Sequence, residues 1–304
     1  MNVQTWVEQL QQIVNPQHIK LNEPLHLYTM TKLGGNADVF VMPGNEEEAV
    51  AVVKFASENQ IPVLMLGNGS NMVVRDGGVR GIVIHFALLE EIKIEGTTVY
   101  AEAGALLKEV SKQAATQTLT GFEFACGIPG SIGGAMAMNA GAYGGEIKDI
   151  IKSCKVITRE GEVVILSKEA LELGYRKSII AEKDYFVLSA TFELTVGNQE
   201  EIDAKIADLT FQRESKQPLE YPSAGSVFKR PPGYFAGKLI QDAGLQGKGV
   251  GGAEVSEKHA GFIINKDHAT ATDYIETIRM VQKVVKETYD IELETEVKIV
   301  GDDL

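Results

Sequence analysis

Residues 121–145 read GFEFACGIPGSIGGAMAMNAGAYGG, and the organisation of the chain follows from this tract. Gly127, Pro129, Gly130, Ser131, Gly133 and Gly134 run into AMAMNAGAYG, which carries Asn139 and Gly141. Side chains this small let another backbone or a flat ligand come close. A helix starting near Ser131 would also direct its open N–H groups and positive dipole end at an anion. A tightly packed small-residue helix is the alternative reading. Few structural needs account for such a density of glycine.

Working upstream, Gly67, Asn68, Gly69, Ser70 and Asn71 follow directly on the buried strand PVLML at 62–66. Such a loop turns several backbone N–H groups toward one anion. It lacks the third glycine and following helix of a dinucleotide fingerprint and the Gly-Lys-Ser/Thr of a Walker loop. A plain turn between strands is the alternative, but two anion loops in one chain suit a pyrophosphate better than a single phosphate.

Around these loops the apolar periodicity alternates. Val3, Trp6, Val7, Leu10, Ile13 and Val14 share one helical face. A strand is expected over 37–42, and Asn45 with Glu48 forms a capping box for a helix through Phe55. After Gly67 come short β pieces, MVV, GIVIHF, EIKIEG and TVYAEAG, separated by glycine turns, then a helix over about 106–116. Downstream, strands continue from Lys155 to Val196, and a helix carrying Ile202, Ile206 and Leu209 leads into RESKQPLEYPS, where a domain boundary is expected near residue 214. The remainder predicts a helix at about 235–243, a strand AGFIIN at 260–265, a Thr270–Asp273 capping box with a helix to Tyr289, and a last strand IELETEVKIV. The fold class is α+β.

The whole composition narrows the function. The chain has 304 residues, 42 acidic and 29 basic side chains and a net charge of −13, with no basic run to track a phosphate backbone, which argues against a nucleic-acid partner. Two cysteines, Cys126 and Cys154, make neither a disulfide framework nor a zinc site, and no His/Cys/Asp/Glu cluster has metal-ligand spacing. Without a signal-like start or a long apolar span, a cytoplasmic protein without membrane insertion is expected.

GNGSNMVVRDGGVRGIVI followed by ACGIPGSIGGAMAMNAGAYGGEI resembles the FAD-binding region of the vanillyl-alcohol-oxidase-type flavoproteins. More closely, the chain resembles the UDP-N-acetylenolpyruvoylglucosamine reductases (UDP-N-acetylmuramate dehydrogenases) of bacterial peptidoglycan synthesis. The likeness continues through TKLGGNAD at 31–38, YRKS at 175–178, YPSAGSVFKRP at 221–231, AGKLIQDAGLQGKGVGGAEVSEKHAGFIIN at 236–265 and LETEVKIVG at 293–301. The resemblance implies a two-lobed FAD-binding region plus a C-terminal α+β substrate domain. The first lobe would comprise 1–78 with 297–304, the second 79–213, and the substrate domain 214–296.

It further implies a non-covalent FAD reduced by NADPH, and transfer of hydride to the enolpyruvyl group of UDP-N-acetylenolpyruvoylglucosamine. No protein partner is implied. Charge left on the carbon beside the carboxylate requires donors and a proton source. By resemblance Ser226 is the proton donor, Arg176 holds the carboxylate, and Glu296 completes the catalytic set; periodicity alone makes Glu296 one of several glutamates on a solvated strand face. Arg213 joins the two glycine loops as a cofactor-binding residue. Lys216 is the first candidate for the substrate anions, with Lys229, Lys238 and His259 behind it. Arg230 stands where some members carry asparagine. Little separates YRKS from YPSAGS, which is the pattern of the shorter subtype without a lid tyrosine. Two other readings use the same loops: an oxygen-using flavin oxidase, and a binding protein without turnover.

Overall fold

The computed structural model describes residues 3–304, which divide into two compact units. One comprises residues 3–22, 38–68 and 81–213; the other comprises 23–37, 69–80 and 214–304.

In the first unit, five strands form an antiparallel sheet in the order Val163–Ser167, Ile151–Ile157, Phe186–Glu193, Thr98–Glu102, Ile92–Glu95. A second sheet runs Ile19–Pro24, Asn36–Val41, Val79–His85, Val63–Leu66, its last two strands parallel; residues 19–22, 38–41, 81–85 and 63–66 of it belong to this unit. The helix Glu46–Glu58 buries Ala49, Val52, Val53, Phe55 and Ala56. Asn45 caps it by accepting from the Glu48 N–H at 2.8 Å. The expected reciprocal half of the box goes one residue further back, where the Glu48 carboxylate accepts from the Gly44 N–H at 2.8 Å. The expected helix after TVYAEAG runs Leu107–Thr116. Phe122 packs edge-on to Phe192 within one continuous core.

The second unit pairs Ser223–Ser226, Phe262–Asn265, Ala253–Val255 and Gly249–Val250 in an antiparallel sheet. The helix Ala271–Tyr289 covers this sheet, and both halves of the Thr270–Asp273 capping box form. Tyr274 is fully buried and its hydroxyl donates to the Ile263 carbonyl at 2.8 Å. The last expected strand is shorter than its alternating pattern. Only Lys298–Val300 is strand, parallel to Met72–Val74. Residues 294–297 instead exchange single bonds with 227–229: Lys229 N–H to Glu294 carbonyl and Glu296 N–H to Val227 carbonyl, at 2.9 and 2.7 Å. No helix of the described residues is long and apolar enough to cross a membrane.

Candidate active site

The parallel strands Val63–Leu66 and Val79–His85 end side by side, and the first glycine loop begins at the end of one of them. The Asn68 side chain donates to the Pro129 carbonyl at 2.6 Å, tying this loop to the second. Gly67 permits the approach: a Cβ there would stand 2.9 Å from Ser131 Oγ. Ser131 is only 3% exposed, and its hydroxyl has no hydrogen-bond partner. A cavity of about 200 Å³ opens here, lined by Gly67, Asn68, Ser131 and Gly133. A buried hydroxyl without a partner, beside a bare α-carbon and facing a cavity, suits a hydrogen bond to a bound ligand.

The helix after Ser131 is Ile132–Met138, and its opening amides are not open to an anion as expected. Ile132 N–H donates to Ala105 O and Gly133 N–H to Ala103 O, at 2.9 and 2.8 Å. Neighbouring backbone thus takes up the first amides. What faces Gly67 is the Ser131 hydroxyl and, at 3.8 Å from a Gly67 Cβ, the Gly134 nitrogen.

The other residues of this loop have distinct places. Arg213 lies against Gly127, where a Cβ would meet Arg213 Cδ at 2.6 Å. Burial lowers the Arg213 pKa, with Tyr143 and Cys126 pulling the other way. The Gly130 carbonyl accepts from Leu107 N–H at 2.9 Å. Gly141 pairs with Glu146, whose Cβ would be 2.7 Å from a side chain at Gly141. Asn139 is buried in a left-handed conformation, φ 47°. Its side chain donates to Glu146 at 2.7 Å and Gly174 O at 3.0 Å, and accepts from Lys148 N–H at 2.9 Å. Its amide therefore fixes the chain around the loop. Arg176 occupies the turn between Gly174 and Lys177, with a left-handed φ of 53° and its guanidinium over the Tyr175 ring at 5.3 Å. A non-glycine residue held there carries backbone strain, a frequent feature of functional positions.

In the second unit, Gly69 has φ +61°, and a Cβ would collide with the Tyr28 carbonyl at 2.2 Å. Ser70 is half-buried. The Asn71 side chain donates to the Glu296 carbonyl at 3.2 Å, and Lys298 N–H donates to the Asn71 carbonyl at 3.1 Å. Glu296 is half-buried where Glu292 and Glu294 are exposed, a distinction that periodicity could not make. Its N–H bonds to Val227, the residue after Ser226, so Ser226 and Glu296 lie on adjacent segments. Ser226 is exposed and pairs with Phe262.

His259 lies on the same side of the sheet: its ring Cε1 is 3.0 Å, and Ser226 Oγ 3.8 Å, from the position of a Cβ on Gly261. His259 Nδ1 accepts from Gly261 N–H at 3.1 Å, and burial lowers its pKa. That bond leaves the proton of the neutral ring on Nε2. Lys229 pairs with Glu294, and Lys238 with Asp242 at 2.6 Å. Arg230 stacks over Phe235 at 4.3 Å. Lys216 ends the helix Gln199–Lys216 and is exposed.

Residues 37–167 match the model of an FAD-binding domain, and residues 217–300 match that of the UDP-N-acetylenolpyruvoylglucosamine reductase C-terminal domain. The Listeria monocytogenes UDP-N-acetylenolpyruvoylglucosamine reductase is 59% identical over 285 residues, 94% of this chain and 96% of the relative. The chain belongs to the UDP-N-acetylenolpyruvoylglucosamine reductase family. A Geobacillus thermodenitrificans reductase is 57% identical over 97% of both chains. The crystal structure of the Thermus caldophilus reductase superposes with a TM-score of 0.80 at 34% identity, covering 93% of this chain and 98% of that one. An alkyldihydroxyacetonephosphate synthase shares the fold over 64% of this chain, with a TM-score of 0.51 at 18% identity. The α+β class is thus that of the reductase family: an FAD-binding domain followed by the reductase C-terminal domain.

The residues present fit FAD. The unpartnered Ser131 hydroxyl, the bare Gly67 and the cavity between them are what a pyrophosphate-bearing ligand needs. Sequence reasoning missed other residues of this cavity, among them Met65, His85 and Glu90. His85 carries one detectable signal: it ends a strand, and ligand crevices lie beyond the carboxyl ends of parallel strands. Its Nδ1 is 2.9 Å from the Leu66 carbonyl, so that nitrogen carries the proton. Burial lowers its pKa against the effect of this bond.

Proposed function

We infer that this protein is an NADPH-dependent flavoenzyme that reduces the enolpyruvyl group of UDP-N-acetylenolpyruvoylglucosamine to the lactyl ether of UDP-N-acetylmuramate, in peptidoglycan precursor synthesis. The observation that carries the reading is family membership over nearly the whole chain, together with an FAD-binding domain whose loops leave the buried Ser131 hydroxyl unpartnered. Bound FAD would supply a two-electron relay between NADPH and the substrate alkene.

The chain's own groups supply the rest. Ser226 Oγ–H is the proton donor to the substrate carbon beside the carboxylate: the O–H bond breaks as the C–H bond forms. A serine is a weak acid, but the enolate-like partner is a strong base. Ser226 is exposed at the end of the strand Ser223–Ser226. Glu296, half-buried on the neighbouring segment, orients the reacting end. Arg176 holds the carboxylate with a planar, permanently charged fork, a task that lysine performs less well. Lys216, Lys229, Arg230, Lys238 and the Nε2–H of His259 serve the substrate's anionic groups.

The test is single-turnover kinetics of Ser226→Ala. The variant stays yellow and is reduced by NADPH at the wild-type rate, while its reoxidation by the enolpyruvyl substrate falls at least a hundredfold, the order expected of a lost general acid. Normal reoxidation would remove Ser226 from the mechanism.

A further inference from the structure

The cavity between the glycine loops has a second unpartnered polar group, which the reading above leaves without a task. Glu90 lines the cavity and is exposed at its rim. Its neighbours are committed: Glu91 pairs with Lys93 at 2.6 Å, and Glu102 accepts from Glu91 N–H at 2.9 Å. Among the described residues the Glu90 carboxylate has no hydrogen bond or ion pair.

The rim is rigid. Gly104 N–H donates to Leu89 O at 2.7 Å, Glu102 N–H to Glu91 O at 3.0 Å, and a Cβ on Gly104 would strike Phe86 O at 1.9 Å. Glu90 is thus held on a segment clamped at both ends. Apart from His85 and Asn68, the remaining walls, among them Met65, Leu66, Phe86, Ala87 and Leu106, are apolar. At about 200 Å³ the space is smaller than a pocket for a whole drug-sized ligand and suits one ring system of a larger molecule. The position beyond the ends of two parallel strands is the usual crevice for a nucleotide in an open sheet.

Charge orients the occupant. A bare carboxylate repels phosphate and accepts from a neutral diol, whereas the Gly67–Ser131 side offers a hydroxyl donor and no acid. Given the flavoenzyme reading, on which this step rests, we propose that the cavity holds the adenosine half of FAD, with the Glu90 carboxylate accepting hydrogen bonds from the ribose hydroxyls. Glu90 is then a specificity residue: it favours FAD over FMN, which has no adenosine, and disfavours nucleotides phosphorylated on that ribose.

The test uses full-length apoprotein, with flavin fluorescence for FAD and FMN and calorimetry for AMP and 2′,3′-dideoxy-AMP. Glu90→Gln weakens FAD about tenfold, the low end for a hydrogen bond to a charged group at an exposed rim, and leaves FMN unchanged. AMP binds the wild type about tenfold more tightly than its dideoxy analogue, and the two bind Glu90→Leu, which leaves no acceptor at that position, alike. Equal loss of FAD and FMN affinity, no loss of either, or a dideoxy penalty that survives the substitution would overturn the proposal. A wild-type apoprotein that takes up no FAD refutes the flavoenzyme reading itself. Normal FAD uptake with an indifferent Glu90 refutes only this inference.

Discussion

Replacing Ser131 by alanine should move stability and cofactor affinity in opposite directions. The hydroxyl is buried without a partner, and although Ser131 is the N-cap of Ile132–Met138, its side chain makes no capping bond. Ser131→Ala therefore forfeits none of the ~1 kcal/mol that a working cap contributes. It removes instead a desolvated polar group, whose unsatisfied burial costs about 1–3 kcal/mol. The apoprotein should gain ~1 kcal/mol at the low end of that range, read as a higher urea midpoint at unchanged slope. The cofactor should lose a hydrogen bond to a charged pyrophosphate, about 1.4 kcal/mol or tenfold in Kd. Saturating FAD would then stabilise the variant by correspondingly less than the wild type. Urea unfolding with and without FAD, and a fluorescence titration, measure both quantities. A destabilised apoprotein, or unaltered FAD affinity, would refute the assignment of this hydroxyl to the cofactor.

Two further substitutions probe the C-terminal unit. Tyr274→Phe leaves the buried Ile263 carbonyl without its 2.8 Å donor and should cost about 1–2 kcal/mol in urea unfolding. Asp76 accepts from the Ala271 and Thr272 N–H groups and the Thr272 hydroxyl; burial raises its pKa, but these bonds outweigh it and hold it below the ordinary value. Its contribution is therefore present above the unfolded pKa and lost as pH falls through the lower folded one. Asp76→Asn should be less stable than wild type at pH 7, and the gap should shrink below about pH 4; a gap independent of pH would contradict this.

Local signals were readable wherever the partner was near in sequence. The Thr270–Asp273 box, the Asn45 cap and the helix 107–116 depend on residues within one turn, and the chain spells them out. Long-range competition was not readable. The amides after Ser131 look open in sequence and are taken by carbonyls at 103 and 105. The alternation in IELETEVKIV describes which side chains are buried, not which backbone accepts them. That stretch gives its bonds to 227–229 and 72–74 instead of one long ladder. The site divides in the same way. The glycine loops announce themselves by composition. Ser226 and Arg176 become visible only through family resemblance, because a lone loop serine or arginine has no spacing to mark it. Glu90 sits in LLEEIKIEG as one of two adjacent glutamates, and only the cavity beside it tells them apart.

The most direct measurement is the visible spectrum of the purified chain under anaerobic conditions, followed through one equivalent of NADPH and then one of UDP-N-acetylenolpyruvoylglucosamine. The flavin absorbance should bleach with NADPH and return with the enolpyruvyl sugar, yielding UDP-N-acetylmuramate. A flavin that NADPH reduces but this substrate leaves reduced would contradict the proposed function.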